Sequence, residues 1–214
     1  MWRWFSRATA PRFKVFCIGR NKTGTTSVGY ALKDLGFRLG DQAKAELLVE
    51  DWAMRDFRRI IRYCRKANAF QDVPFSLPDT FKAMDEAFPG SKFILTVRDS
   101  AREWYESLTR FHTKIVGKGR LPTAGDLKCH HYRYKGFLWR SHQLVYGIDE
   151  STLYDFDIYT KHYEEHNRRV IEYFVSRPDD LLVLNLKDPS AMRKLCDFLG
   201  IDYSGHPMPH LNKS

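Results

Sequence analysis

The chain has 214 residues, 43% of them apolar, with 15 Phe, 11 Tyr and 5 Trp; this is enough to build one packed core and excludes a wholly disordered chain. The 35 basic residues against 26 acidic ones leave a net charge of +9, which favours an anionic partner: nucleic acid, anionic lipid, or a phosphorylated or sulfated small molecule. The basic residues are spread among acidic ones with no dense Lys/Arg block, which weighs against a nucleic-acid-binding tail. Cys17, Cys64, Cys129 and Cys196 are far apart and form no CxxC pair, so buried free thiols in a reducing compartment are expected rather than a zinc site or a disulfide framework. The segment from Met1 to Arg7 has no apolar core of signal-peptide length, and no uncharged apolar run approaches the roughly 18 residues of a membrane span. A soluble, cytoplasmic protein without a membrane span is therefore predicted, with Trp2-Arg3-Trp4-Phe5 as a packed or frayed tip. Oligomeric state is not legible.

The first element is a strand over residues 13–18, short, apolar and closed by Gly19. From Ser27 the apolar spacing turns helical through Val28, Leu32 and Leu35, with Gly36 placed to cap the helix. A helical region follows between Ala45 and Lys66, then a buried strand from Ala69 to Val73 that stops at Pro74. Thr80 to Phe88 predicts a helix, and Pro89-Gly90 turns the chain into the clearest strand, residues 92–97. Ser100 to Ile115 predicts a helix with Trp104, Leu108, Phe111 and Ile115 on one side. Residues 117–157 mix Gly, Pro, His and Tyr without a period. A helix over 158–175, a strand over 181–186 and a helix over 190–199 capped by Gly200 complete the chain.

Strands alternating with helices predict a single α/β domain over residues 1–214, three-layered and P-loop-like, with a central parallel sheet flanked by helices. Ligands in such folds sit beyond the carboxyl ends of the strands. Gly19, Asp72 and Arg98 all fall at those ends. The loop Gly19-Arg20-Asn21-Lys22-Thr23-Gly24-Thr25-Thr26-Ser27 has the glycine spacing of a phosphate cradle, in which backbone N–H groups and the next helix N-terminus face an anion. It departs from a nucleoside-triphosphatase loop in one respect: Thr25 follows the second glycine, and the lysine is Lys22, inside the loop.

Lys22-Thr23-Gly24-Thr25-Thr26-Ser27 after a strand resembles the 5'-phosphosulfate loop of the sulfotransferases. Phe93 to Asp99, leading into Glu103-Trp104-Tyr105-Glu106-Ser107, resembles their second signature, which holds the 3'-phosphate. The likeness continues through Leu195-Cys196-Asp197-Phe198-Leu199-Gly200 to Met208-Pro209-His210-Leu211-Asn212-Lys213, as in bacterial-type members. It implies 3'-phosphoadenosine 5'-phosphosulfate as co-substrate, adenosine 3',5'-bisphosphate as product, and no metal. On that resemblance Arg20 to Ser27 hold the 5' side of the nucleotide, Lys22 contacts the bridging oxygen, and Arg98 with Ser107 binds the 3'-phosphate. The family places the serine eight residues after the arginine; here Ser107 is ninth, and an extra residue at the start of the helix would restore the register. The family's base follows a strand and precedes a proline, which puts Asp72 in that role, its other reading being a structural acceptor for backbone N–H groups.

A catalytic base must lie within hydrogen-bond reach of the acceptor, and residues 117–157 are the expected acceptor-binding segment. His112, His130 and His131 lie in or near it, and the cluster His131-Tyr132-Arg133-Tyr134-Lys135 reads either as a contact for a sugar or an aromatic or as the start of an amphipathic helix. His162 and His166 have metal-ligand spacing on a helix, but no third ligand is evident. The acceptor could be a carbohydrate, lipid headgroup, phenol or amine. Two other functions are compatible with parts of the pattern: an ATP- and magnesium-dependent phosphotransferase, for which Asp99 is the candidate metal-binding acid, and a non-catalytic basic domain binding nucleic acid.

Overall fold

The computed structural model describes residues 13–209; the Trp2–Phe5 tip and the tail from His210 lie outside them. Four strands, β1 (Val15–Cys17), β2 (Ala69–Gln71), β3 (Lys92–Val97) and β4 (Leu181–Asn185), form one sheet in the order β2-β1-β3-β4. Every pairing is parallel. The chain leaves β1 to lay β2 on one side and returns to lay β3 on the other. The crevice at the carboxyl ends of β1 and β3 is thus the switch point where such sheets take ligands.

Alternation along β1 assigns the two faces. Phe16 and Ile18 point into one apolar cluster, Val15 and Cys17 into the other. Helices α1 (Thr25–Asp34) and α10 (Ala191–Leu199) cover the second face through Val28, Leu32, Leu195 and Leu199. The larger cluster on the first face is closed by α2 (Gln42–Glu46), α3 (Val49–Ala53), α4 (Arg58–Cys64), α5 (Thr80–Ala87), α6 (Ala101–Ile115), α7 (Ala124–Cys129), α8 (Phe137–Tyr146) and α9 (Phe156–Phe174). The three layers are those that the sequence predicts. Cys17, Cys64 and Cys196 are buried free thiols, whereas Cys129 is exposed. Among the described residues no helix is long and apolar enough to cross a membrane.

Several boundaries differ from the sequence reading, each for a local reason. The helical region over 45–66 is three short helices; Arg55, in a left-handed conformation at φ 58°, separates the last two. β2 ends at Gln71 because Asp72 turns left-handed at φ 60°. Residues 117–157 are not irregular throughout. They hold α7, whose start is fixed by a reciprocal capping box between Thr123 and Asp126, and α8, bounded by left-handed Gly136 and Gly147. Six residues are too few to show a period, and the Phe137-Leu138-Trp139 run at the start of α8 hides its helical stripe. His131 and Lys135 form an isolated antiparallel bridge instead of beginning a helix.

Candidate active site

The loop after β1 is pressed against β3. A Cβ on Gly19 would collide with the backbone of Thr96, so only glycine lets the loop start there. It then turns at two left-handed residues, Lys22 at φ 68° and Gly24 at φ 102°. Thr23 Oγ1 donates to the Arg20 carbonyl at 2.5 Å and therefore accepts from Thr96 Oγ1, also at 2.5 Å. Trp104 Nε1 donates to the Asn21 carbonyl at 2.8 Å, and Arg98 Nε to the Lys22 carbonyl at 2.9 Å. Two carbonyls of the loop are thereby held by groups at and after the end of β3. Gly24 leads into α1, which lacks a side-chain cap, so a ten-residue helix presents its positive end at the loop.

Beside this loop lies a cavity of about 230 Å³. Arg20, Asn21, Lys22, Gly24, Thr25, Thr26, Asp72, Arg98 and Ser107 all line it. Thr23 and Ser27 are buried behind it, outside the lining. Arg98 Nη2 donates to Ser107 Oγ at 3.4 Å and Nη1 to Glu103 at 3.3 Å, while the Arg98 N–H donates to the Tyr163 hydroxyl at 2.9 Å. The nine-residue spacing closes because α6 begins at Ala101, capped by the Ser100 hydroxyl on the Glu103 N–H; Arg98 stays outside the helix and reaches back to its second turn.

Asp72 occupies the mouth of β2. Its Oδ1 accepts from the Val73 N–H at 2.9 Å. Burial raises its carboxyl above the usual range, opposed by that bond, by the charges of Lys22 and Arg20, and by the Thr25 hydroxyl. The Lys22 ammonium is held 3.3 Å from the centre of the Phe111 ring. Burial lowers its pKa, Asp72 opposing the shift and Arg98 adding to it. A partly desolvated cation and a carboxylate of raised pKa thus face one space, a pairing characteristic of acid–base sites.

The remaining walls come from α2, the segment after β2, α6, and α8 with the residues before it. His112 Nδ1 pairs with the Tyr154 hydroxyl at 2.9 Å and His142 Nδ1 with that of Tyr159 at 2.6 Å. Burial drives both imidazoles toward the neutral form, His142 to about 3. Glu46 also lines the cavity, bonded to Arg133, and burial raises its pKa. Of the histidines that the sequence singles out, His112 lines the cavity and His130 and His131 do not. His166 donates Nε2–H to the Ile18 carbonyl at 2.8 Å, and no cluster of three metal-ligating side chains exists among the described residues. Asp99 is exposed and engaged by Lys187 Nζ at 2.7 Å, away from the cavity lining.

Against known families, the chain matches the sulfotransferase domain over residues 14–214, nearly its whole length. The chain belongs to the sulfotransferase domain family. No curated protein matches it. The family accounts for a loop, a cavity and a parallel sheet that meet at one switch point. This sulfotransferase also brings to the cavity residues to which the sequence reading gave no functional role. Phe111 stands one helical turn beyond Ser107, a spacing that puts both on one face of α6. His142 and Tyr146 share that spacing on α8, but the signal is unreadable until α8 itself is known.

Proposed function

We propose that this sulfotransferase takes its sulfuryl group from 3'-phosphoadenosine 5'-phosphosulfate and delivers it in line to a hydroxyl or amine acceptor in the same cavity. The observation that supports this most is the convergence of Lys22, Asp72 and the Arg98–Ser107 pair on one cavity at the β1/β3 switch point. The residues suit such a nucleotide. An uncapped helix start, a glycine turn and the cations Lys22 and Arg98 provide anion-binding groups at two places along one wall.

In this reading the loop from Asn21 to Thr26 binds the 5' end, with Gly24, Thr25 and Thr26 supplying N–H and hydroxyl groups at the cavity and Thr23 holding the loop's shape. Arg98 and Ser107 bind the 3'-phosphate. The donor supplies an activated sulfuryl group and leaves as adenosine 3',5'-bisphosphate, so the chemistry requires no metal. Lys22 stabilises the negative charge that grows on the leaving phosphate, an interaction strongest in the transition state. Asp72 takes the acceptor's proton, and its raised pKa makes it a better base than an exposed aspartate. Residues 117–157 furnish the acceptor wall of a single domain.

The competing triphosphate chemistry would use Asp99 as its metal-binding acid, and Asp99 is engaged by Lys187 outside the cavity lining. Melting curves separate the two. Saturating adenosine 3',5'-bisphosphate at about 100 times its Kd stabilises by about 2.7 kcal/mol, or roughly 5–10 °C for a chain of this size. ATP with magnesium is expected to give a smaller shift. A larger shift with ATP and magnesium would overturn the assignment.

A further inference from the structure

We propose that the acceptor of this sulfotransferase carries an anionic group, a carboxylate in the simplest case, that binds a subsite built from Arg20, Ser76 and Ser141. The proposal rests on the reading above for the presence of an acceptor in this cavity. The first observation is charge. Arg20 is 2% exposed, and among the described residues no carboxylate forms an ion pair with its guanidinium. Its Nη1 donates to the Ser76 carbonyl at 3.1 Å and its Nη2 to the Tyr146 hydroxyl at 2.8 Å. Both partners are neutral. A buried guanidinium satisfied only by neutral oxygens retains most of its desolvation cost, which an anion at the same place offsets.

The second observation is hydrogen bonding. Arg20 Nε, Ser76 Oγ and Ser141 Oγ are buried and have no hydrogen-bond partner, and all three residues line the one cavity. Each atom can donate, Arg20 Nε as a donor only and the two serine hydroxyls as acceptors too. Buried donors without acceptors are uncommon in folded proteins. A carboxylate, with two oxygens and about four lone-pair positions, complements three donors and brings none of its own. A neutral hydroxyl adds a donor where donors are already in excess.

Asp72 lies close enough to feel the Arg20 charge, but among the described residues neither it nor any other carboxylate forms an ion pair with Arg20. His142 and His166 are driven to about 3, by burial first and by the Arg20 charge second, and stand neutral. Asp72 is occupied by the Val73 N–H and the Thr25 hydroxyl. Glu46 is occupied by Arg133. The donor nucleotide's two anionic ends already have Lys22 with the α1 start, and Arg98 with Ser107. Arg20, although it belongs to the same loop, is bonded to a different wall made by the segment after β2 and by α8. That wall includes the segment expected to contact the acceptor.

The test is a calorimetric titration of a panel of hydroxy acids, including 4-hydroxyphenylacetate and 3-hydroxybutyrate, each against its methyl ester. Each is titrated into the protein alone and into the protein saturated with adenosine 3',5'-bisphosphate. At least one acid is expected to bind roughly tenfold more tightly than its ester, equivalent to about 1.4 kcal/mol. Arg20→Met is expected to erase that preference and leave the affinity for adenosine 3',5'-bisphosphate within about twofold. Because Arg20 is buried, Ser141→Ala provides a milder variant, expected to reduce the preference severalfold while the melting temperature stays near wild type. Two results would overturn the proposal: acids that bind no better than esters across the panel, or an Arg20→Met variant that loses the nucleotide instead, which would assign Arg20 to the donor. Failure of the nucleotide to bind the wild-type protein would count against the donor assignment and not against the subsite, which is read in the nucleotide-free titration.

Discussion

Replacing Asp72 with Asn separates its chemical role from its structural one, because the fold can tolerate the exchange. Asp72 sits at φ 60°, a left-handed conformation that Asn adopts as readily as any residue except glycine. The Asn Oδ1 can still accept from the Val73 N–H that Asp72 Oδ1 holds at 2.9 Å. What is lost is the charge. Burial raises the Asp72 pKa in the folded protein despite the nearby Lys22 and Arg20, so the ionised form is disfavoured by folding. The folded state therefore loses stability as pH rises from the ordinary aspartate value of about 3.9 through the raised one, and the penalty is constant above it. Each pH unit by which the two values differ corresponds to about 1.4 kcal/mol, or about 3–6 °C in Tm for a chain of this length. Asp72→Asn is thus expected to melt higher than wild type at pH 7.5 and to coincide with it below about pH 4. Its kcat is expected to fall by about 100-fold or more, as loss of a general base commonly brings. Melting curves from pH 3.5 to 8 together with a transfer assay measure both. A variant that melts lower at neutral pH, or whose offset does not change with pH, would refute the electrostatic reasoning. Full activity in a stable variant would move the base elsewhere.

Other substitutions probe single contacts. Ser107→Ala removes one hydroxyl that meets Arg98 at 3.4 Å and is expected to raise the donor KM roughly three- to tenfold, with kcat little changed in steady-state assays. Trp104→Phe leaves the Asn21 carbonyl without its 2.8 Å donor; the cost of about 1–3 kcal/mol is expected as a Tm drop of roughly 3–10 °C by scanning calorimetry. Phe111→Leu removes the ring 3.3 Å from the Lys22 ammonium, a cation–π contact worth about 0.5–2 kcal/mol. Turnover is expected to fall severalfold with Leu and to be retained with Phe111→Tyr.

The sheet was legible because each strand is a short apolar run ended by Gly, Pro or a charged residue, as Gly19 ends β1 and Arg98 ends β3. The loop side of the cavity was legible because its parts are local: a loop of nine residues, and an arginine and a serine separated by one helix start. The Arg98–Ser107 contact depends on where α6 begins, and Ser100 followed by Glu103 is a recognisable cap. The wall facing that loop was obscure for the opposite reason. Arg20 acquires its meaning from Ser76, 56 residues away, and Tyr146, 126 residues away. His142 and Tyr146 face the cavity only because α8 forms, and α8 has a start masked by consecutive apolar residues. Glu46 reads as a surface helix residue until Arg133 is folded against it.

The most direct test of the mechanism is transfer of radiolabelled sulfuryl from 3'-phosphoadenosine 5'-phosphosulfate to an acceptor library, by wild type and by Lys22→Ala. Wild type is expected to label at least one acceptor. Lys22→Ala is expected to do so at least about 100-fold more slowly, the usual cost of removing a group that stabilises transition-state charge, while its melting curve stays close to wild type. Equal turnover by a folded Lys22→Ala variant would contradict the assignment of Lys22 and the mechanism built on it.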